Sequence, residues 1–85
     1  MDGKIYVGNL PYKITDSKEL VDFFKEFNID EKFIKIIINK QTGEGKGFAF
    51  VELPIEQVQE VISKLNGEDL LGRKLIIREA RGKDD

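Results

Sequence analysis

Residues 46–53 constrain the fold of this chain more than any other segment, because two kinds of side chain alternate along them. Successive side chains of a β-strand point to opposite faces of its sheet. One face of this strand carries only small or aliphatic residues, as a face covered by helices would: Gly47, Ala49, Val51 and Leu53. The other face carries a cation, two aromatic rings and an acid: Lys46, Phe48, Phe50 and Glu52. A large apolar surface outside the core usually marks a binding site, so the alternation predicts one buried face and one binding face.

Two further segments repeat apolar residues with helical spacing. The first stripe consists of Leu20, Phe23, Phe24 and Phe27, and the second of Ile55, Val58, Val61, Ile62 and Leu65. Such stripes indicate amphipathic helices with one buried side. Asp16, with Glu19 three residues later, predicts a capping box at the start of the first helix. Asn66-Gly67 predicts the end of the second helix.

Residues 4–9 and 74–80 also alternate, and residues 33–38 are rich in β-branched side chains, so each of these segments predicts a strand. The glycines at 43, 45 and 47 are typical of a phosphate-binding loop only when a helix follows them, and here a strand follows. Residues 39–45 are therefore predicted to form a hairpin loop. The element order is β-α-β-β-α-β, in which both helices cover one face of a four-stranded antiparallel sheet and leave the other face open.

Two motifs give the chain a resemblance to a known family. Residues 46–53 match seven of the eight positions of the octapeptide K/R-G-F/Y-G/A-F-V-x-F/Y, and Leu53 is the exception. A second motif, Ile-Tyr-Val-Gly-Asn-Leu, occupies residues 5–10 of the first strand. Over residues 4–80 the chain resembles the RNA-recognition motif (RRM) family. The resemblance implies the α+β, ferredoxin-like sandwich of that family, with the sheet order 4-1-3-2.

The resemblance also implies which residues would bind RNA. Tyr6 and Phe50 would each stack under one base, and Phe48 would pack against the sugars between them. Lys46 would meet a phosphate. The other candidates on the open face or at its end are Lys4, Asn9, Lys35, Ile37, Ile76, Arg78, and the backbone of Ala80 and Arg81.

The spacing of the family also sets the expected register of the outer strands. In the second strand, the inward side chains would be those of Ile34, Ile36 and Ile38, and the outward ones those of Phe33, Lys35 and Ile37. In the last strand, Leu75 and Ile77 would face the helices, while Ile76, Arg78 and Ala80 would face away. We expect residues 1–85 to form a single domain with a folded core at about 4–80, followed by a frayed tail.

The net charge of −2 is unusual for a protein that binds nucleic acid, because such domains are usually basic. The outward sheet positions nevertheless carry more cations than acids: Lys4, Lys35, Lys46 and Arg78 against Glu52. The acidity is concentrated on the predicted helices. The hairpin loop carries one cation, Lys40, and one acid, Glu44, so it is not strongly basic, and we expect a modest affinity for RNA.

The composition limits the chemistry that this chain can perform. It contains no Cys and no His, so thiolate metal sites, disulfides and a histidine base are excluded, and we expect no metal and no cofactor. No apolar run approaches the ~20 residues of a membrane span, and the first residues lack the apolar stretch of a signal peptide. We therefore expect a soluble intracellular protein of the cytoplasm or nucleus.

Three alternatives remain open at this point. Single-stranded DNA has the same bases to stack, and residue types alone do not distinguish it from RNA. Some members of the family bind proteins through the sheet or the helices, although this chain has all three motif aromatics. The small acylphosphatases share the element order, but their phosphate-binding Arg is absent from the loop after the first strand, so we expect no enzyme. Single-stranded RNA is the expected partner, and the chain is expected to be a monomer.

Overall fold

The computed structural model, described for residues 3–80, contains the predicted elements in the predicted order. In chain order they are β1 (Gly3–Gly8), α1 (Ser17–Phe23), β2 (Ile34–Ile38), β3 (Gly45–Leu53), α2 (Ile55–Leu65), β4 (Asp69–Leu70), β5 (Arg73–Lys74) and β6 (Ile76–Glu79). Two short 3-10 helices, Lys25–Phe27 and Glu31–Phe33, connect α1 to β2. Among these residues, no helix has the length and apolar character needed to cross a membrane.

The main sheet has four antiparallel strands in the order β2-β3-β1-β6. The two strands that carry the sequence motifs, β1 and β3, are neighbours at its centre and pair from Gly3 with Leu53 to Gly8 with Phe48. Because β6 is the fourth strand of this sheet, the order is the one that the family resemblance implied. The ferredoxin-like arrangement is confirmed.

The core lies between the sheet and the two helices. From β3 it includes Ala49, Val51 and Leu53, each 0% exposed, so the helix-facing side of this strand is the predicted one. Leu20 and Phe24 of the first helical stripe are fully buried, while Phe23 and Phe27 are half-buried against the same core. From the second stripe, Val58, Val61 and Leu65 are buried.

Helix α1 begins, and helix α2 ends, at the residues that the sequence predicted. The Asp16 carboxylate accepts a hydrogen bond from the Lys18 backbone N–H at 3.0 Å and caps the start of α1. At the end of α2, the backbone N–H of Asn66 donates to the Ile62 carbonyl, and Gly67 then adopts a φ of +87°. The Asn66 side-chain oxygen accepts from the Ile77 N–H at 2.8 Å, so the same residue ties the helix end to β6.

Two inward assignments were wrong. Ile38 is 36% exposed, because the pairing of β2 with β3 is interrupted between Ile36 and Ile38 by a bulge. Ile36 pairs with Ala49 and Ile38 with Gly45, so the extra residues of the bulge lie on β3 between Gly45 and Ala49. Gly47, in the middle of this segment, adopts a φ of +93°. Ile55, at the first turn of α2, is 44% exposed and lies outside the buried part of its helical stripe.

The predicted strand at 74–80 is divided in two. Lys74 belongs to a separate two-stranded hairpin, in which Asp69 pairs with Lys74 and Leu70 with Arg73. Leu75 joins the two parts, and both its N–H and its carbonyl bond to the segment after α2, to Glu68 and Gly67. Only Ile76–Glu79 pairs with β1. The predicted inward and outward sides of residues 75–78 are confirmed, since Leu75 and Ile77 are buried and Ile76 and Arg78 are exposed.

Candidate nucleic-acid interface

Three aromatic rings lie together on the face of the sheet that the helices leave open. The ring centroids of Tyr6 and Phe48 are 6.0 Å apart, those of Tyr6 and Phe50 5.9 Å, and those of Phe48 and Phe50 6.0 Å. All three side chains are half-buried. We call these residues the aromatic triad. Their mutual edge and tilted contacts fix the rings as a nearly equilateral cluster at the centre of the sheet.

The strand register explains why two triad rings have cations on their outer sides. Lys35 pairs with Phe50, Phe50 with Tyr6, and Tyr6 with Arg78. One row across all four strands therefore runs cation, ring, ring, cation. Neighbouring strands are about 4.8 Å apart, so the row crosses the whole width of the sheet.

Cations also lie over the rings themselves. The Lys4 Nζ is 5.1 Å from the Phe50 centroid, and the Arg78 guanidinium carbon is 5.9 Å from the Tyr6 centroid. Both distances are within the range of cation–π attraction. The open face thus combines aromatic surface with positive charge.

Gly8 gives Tyr6 its position. A Cβ atom at Gly8 would lie 2.7 Å from two atoms of the Tyr6 side chain, Cε2 and the hydroxyl oxygen. No real Cβ contact is that short, so the phenol ring lies along β1 across a position that only glycine leaves vacant. The glycine of the hexapeptide motif thus has a steric role in forming the aromatic surface.

Asn9 holds the β4–β5 hairpin against the end of β1. Its side-chain N–H donates to the Lys74 carbonyl at 2.8 Å, and its side-chain oxygen accepts from the Arg73 guanidinium at 2.6 Å. The Arg73 Nε also donates to the Asn9 carbonyl at 3.2 Å. Asn9 has a φ of +61°, a conformation that Asn tolerates better than most residues. We name this arrangement the Asn9 clamp.

The sequence did not single out Tyr12, which is 57% exposed beside the triad. Its ring packs over Gly47, where a Cβ would lie 3.0 Å from Cε1, and the Arg73 guanidinium carbon is 5.8 Å from the ring centroid. Tyr12 and Phe48 line one cleft together with Lys46 and Thr42. The signal for Tyr12 would have been the pair of glycines at 45 and 47, because glycines in a strand often admit a close neighbour.

The remaining candidates occupy different parts of this face. Lys46 is exposed beside Phe48, Ile37 is half-buried on β2, and Ile76 is 41% exposed on β6. The backbone N–H of Ala80 donates to the Lys4 carbonyl at 2.9 Å, so this group is already engaged within the sheet. Arg81 lies outside the described residues.

The acids near the sheet lie on both of its sides, and Glu44 lines the cleft beside Phe48 and Tyr12. Glu79 follows Arg78 in β6, and its carboxylate accepts from the Gln59 side chain on α2, on the helical side. Glu26 pairs with Lys64 at 3.0 Å, also on the helical side, and its hydrogen bond raises the pKa of Lys64 above the usual lysine value. Glu52 is the acid that lies opposite Lys4 on the open face. Within residues 3–80 we find no acidic cluster arranged to hold a metal ion.

Comparison with known proteins identifies the family. The family model described as RNA recognition motif matches residues 5–76, which is most of the chain. The chain belongs to the RNA recognition motif family. The RRM motif residues Tyr6, Phe48 and Phe50 all fall within the matched range.

Relatives and solved structures agree with this assignment. The 28 kDa chloroplast ribonucleoprotein of Spinacia oleracea is 35% identical over 80 residues, which cover 93% of this chain and 34% of the relative. The chain thus spans about a third of that protein's length. The RNA-bound structure of the Rna15 RRM has a TM-score of 0.74 and 29% identity, covering 91% of this chain and 81% of the other. A single-stranded-DNA-binding protein precursor of Helicobacter pylori has a TM-score of 0.67 and 38% identity, covering 92% and 99%.

Proposed function

We propose that this RRM domain binds single-stranded RNA on the open face of its sheet. The observation that supports the proposal most strongly is the row Lys35–Phe50–Tyr6–Arg78, which sets two adjacent rings between two cations. Rings can stack on any base, and cations can neutralise the phosphates between bases. The RNA-binding names of the relatives and the RNA-bound Rna15 RRM support the same partner.

Each ring has a distinct role in this proposal. Tyr6 and Phe50 each stack under one base, which displaces the Arg78 or Lys4 side chain that lies over the ring in the unbound protein, and that side chain turns to a neighbouring phosphate. Phe48 lies about equally far from both rings and packs against the sugars that join the two nucleotides. Lys46 and Lys35 neutralise phosphates at opposite edges of the triad. Ile37 and Ile76 extend the apolar surface on the outer strands.

Asn9 and Ala80 have a less direct role. The polar groups of Asn9 are used by the clamp, and the Ala80 N–H is used by β1. We therefore propose that both shape the edge of the site. The carbonyl of Ala80 and the residue that follows it stay candidates for contacts with base edges. No catalytic role is proposed for any of these residues.

Single-stranded DNA is the second candidate, because the Helicobacter pylori relative in structure is described as a single-stranded-DNA-binding protein. Base stacking alone would accept either polymer, since the distinction depends on contacts to the 2′-hydroxyl. We expect RNA to bind more tightly. A protein partner on the same face would have to cover the triad and its cations.

A titration monitored by backbone amide chemical shifts tests the proposal and its alternatives together. Mixed-sequence RNA and DNA tetranucleotides are added separately to the ¹⁵N-labelled domain. Shifts are expected at residues 4–8, 46–50 and 76–79, with a Kd for RNA in the micromolar to tens-of-micromolar range, since two stacked bases contribute about 1–3 kcal/mol each and a few phosphate contacts add to them. Shifts confined to the helices, or no shifts with either polymer, would refute the proposal. Equal affinities for RNA and DNA would mean that the domain does not distinguish ribose from deoxyribose.

A further inference from the structure

A shallow cleft lies beside Phe48, where the hairpin loop between β2 and β3 meets the loop after β1. Its volume is about 420 Å³, within the range of about 300–1,000 Å³ for small-molecule sites. Phe48 and Tyr12 contribute aromatic surface. The hairpin and the start of β3 contribute the polar side chains, which are those of Asn39, Thr42, Glu44 and Lys46. The cleft therefore offers a planar occupant both ring contacts and hydrogen-bonding groups. We call it the Tyr12 cleft.

Hydrogen bonds within the hairpin loop fix the polar side of the Tyr12 cleft. The Asn39 N–H donates to the Glu44 carbonyl at 2.8 Å, and the Gly43 N–H donates to the Asn39 carbonyl at 2.7 Å. The Gln41 N–H donates to the Asn39 side-chain oxygen at 2.9 Å. Gly43 adopts a φ of +78°, which glycine accepts without strain. The Glu44 N–H also donates to the Thr42 hydroxyl at 3.3 Å, so the Glu44 side chain starts from a defined backbone.

Glu44 is the residue of this cleft that phosphate binding does not explain. It is exposed, and within residues 3–80 its carboxylate has neither an ion pair nor a side-chain hydrogen bond. A carboxylate beside a surface for RNA repels phosphates, so it weakens binding to an arbitrary sequence. An ionised carboxylate can, however, accept two hydrogen bonds side by side. Glu44 can therefore select an occupant that presents two neighbouring donors.

The four RNA bases differ in the donors that they present. The Watson–Crick edge of guanine has two adjacent donors, N1–H and the N2 amino group, followed by the O6 acceptor. Adenine, cytosine and uracil each have one donor group on that edge, next to an acceptor. A carboxylate that accepts from both guanine donors would face an acceptor on each of the other bases. Guanine is thus the base that matches Glu44.

We propose that the Tyr12 cleft binds one guanine base of the RNA and that Glu44 selects it. The base lies against Phe48 and Tyr12, and its N1–H and N2–H donate to the Glu44 carboxylate. Its O6 accepts from the side-chain N–H of Asn39, whose oxygen is bonded to the loop backbone. Phe48 belongs both to the aromatic triad and to the cleft, so one strand can reach both. The inference rests on the proposed function and adds a sequence preference to it.

Hexanucleotides separate general RNA binding from selection of guanine. The probes are oligouridylate and the same hexamer with one internal guanosine, inosine or adenosine. Wild-type protein is expected to bind the guanosine hexamer about five- to twentyfold more tightly than oligouridylate or the adenosine hexamer, the lower part of the range for a bidentate contact to a base. Inosine lacks the N2 amino group, so its hexamer should bind with intermediate affinity.

Glu44→Gln tests the assignment through the direction of its effect. The charge that repels phosphates is removed, so affinity for oligouridylate should stay the same or rise by up to about twofold. The preference for guanosine should instead fall to less than about twofold, because the bidentate acceptor is lost. Glu52→Gln is the matched control, since it removes the same charge from the other end of β3 and should leave the preference unchanged. Both residues are exposed, and thermal melts check that both variants fold.

The outcomes distinguish this inference from the proposed function. If wild-type protein binds all the hexamers equally, the domain binds RNA without selecting guanine. If the guanosine preference survives Glu44→Gln, the guanine is bound elsewhere. If Glu44→Gln strengthens binding to every hexamer equally, or Glu52→Gln also abolishes the preference, Glu44 acts only through its charge. Each of these results overturns the inference and leaves the proposed function intact. If wild-type protein binds none of the hexamers, both fail.

Discussion

At the scale of single residues, Phe50 and Val51 are neighbours in β3 with opposite surroundings. The Phe50 ring is half-buried in the aromatic triad, while Val51 is 0% exposed beneath the helices. The strand period of two residues places them on opposite faces. Binding and stability should therefore be separable by substituting adjacent positions.

Phe50→Ala is expected to weaken RNA binding by about 1–3 kcal/mol with little loss of stability, because it removes a stacking surface and leaves no core cavity. Val51→Ala is its matched control. Two buried methyl groups are lost, so the free energy of unfolding should fall by about 1–2 kcal/mol while the folded protein binds RNA nearly as before. Thermal melts and RNA titrations measure both quantities. Unfolding by Phe50→Ala together with a silent Val51→Ala would contradict the register of β3.

Gly8 offers a test of how precisely the Tyr6 ring must be placed. Gly8→Ala puts a Cβ where the phenol lies, 2.7 Å from its hydroxyl oxygen, but the ring can move because it is the end of a flexible, half-buried side chain. We expect a small change in melting temperature and a loss of RNA affinity of about threefold to tenfold, a part of the ~1–3 kcal/mol for a full stack.

A double-mutant cycle with Tyr6→Ala supplies the control for Gly8→Ala. If Gly8 acts by positioning the ring, Gly8→Ala should have no further effect on RNA affinity once the ring is gone. Additive losses from the two substitutions would instead show that Gly8 contributes to binding through the backbone. A large fall in melting temperature with Gly8→Ala alone would mean that the ring is not free to move.

At the scale of elements, sequence periodicity predicted which sides of β1, β3 and both helices are buried, because those elements are long and regular. It failed at Ile38 and Ile55, where regularity ends. Ile38 lies beyond a bulge at Gly47, and Ile55 lies on the first turn of α2, where its side chain is exposed. Bulges and helix ends depend on tertiary pairing that a local pattern does not contain.

The β4–β5 hairpin was also missed, since what holds it is distant in the sequence. Asn9 and Arg73 are 64 residues apart, yet their side chains share a 2.6 Å hydrogen bond. The sequence suggested Asn9 as a contact for RNA, whereas in the structure its side chain makes hydrogen bonds to Arg73 and Lys74 of the hairpin. By contrast, the triad was predictable because each of its rings lies in a strand motif.

Asn9→Gly tests the clamp as a unit. Glycine accepts the φ of +61° without strain, so the change removes only the side-chain bonds to Arg73 and Lys74. Each such bond contributes about 0.5–1.5 kcal/mol, so amide hydrogen exchange of the hairpin should accelerate roughly fivefold or more, while the amides of β1 and β3 are unaffected. Arg73→Gln is the matched variant and should give part of the same acceleration. Uniform acceleration across the sheet would contradict a local clamp.

At the scale of the whole molecule, charge is separated between the two layers. The net charge is −2, but the strands present four cations on the open face, Lys4, Lys35, Lys46 and Arg78, against the one carboxylate of Glu52. The carboxylates of Glu26 and Glu79 are engaged on the helical side. Net charge therefore says little about the field that a nucleic acid meets on approaching the sheet, which depends on the nearest charges within a Debye length of about 8–10 Å.

The separation of charge predicts a moderate salt dependence of RNA binding. Three or four phosphate contacts, at about 0.7 each for a single strand, give a slope of log K against log salt of about −2 to −3. Lys35→Gln removes one cation from the central row and should make the slope less steep by about 0.7. Lys18→Gln removes the same charge from α1 and should leave the slope unchanged. RNA titrations of the wild-type protein and of both variants, at several salt concentrations between about 50 and 200 mM, measure the three slopes. Tight binding with a flat slope would contradict the placement of phosphates along this face. An equal effect of the two variants on the slope would mean that the overall charge of the protein, and not the row of residues on the sheet, attracts the RNA.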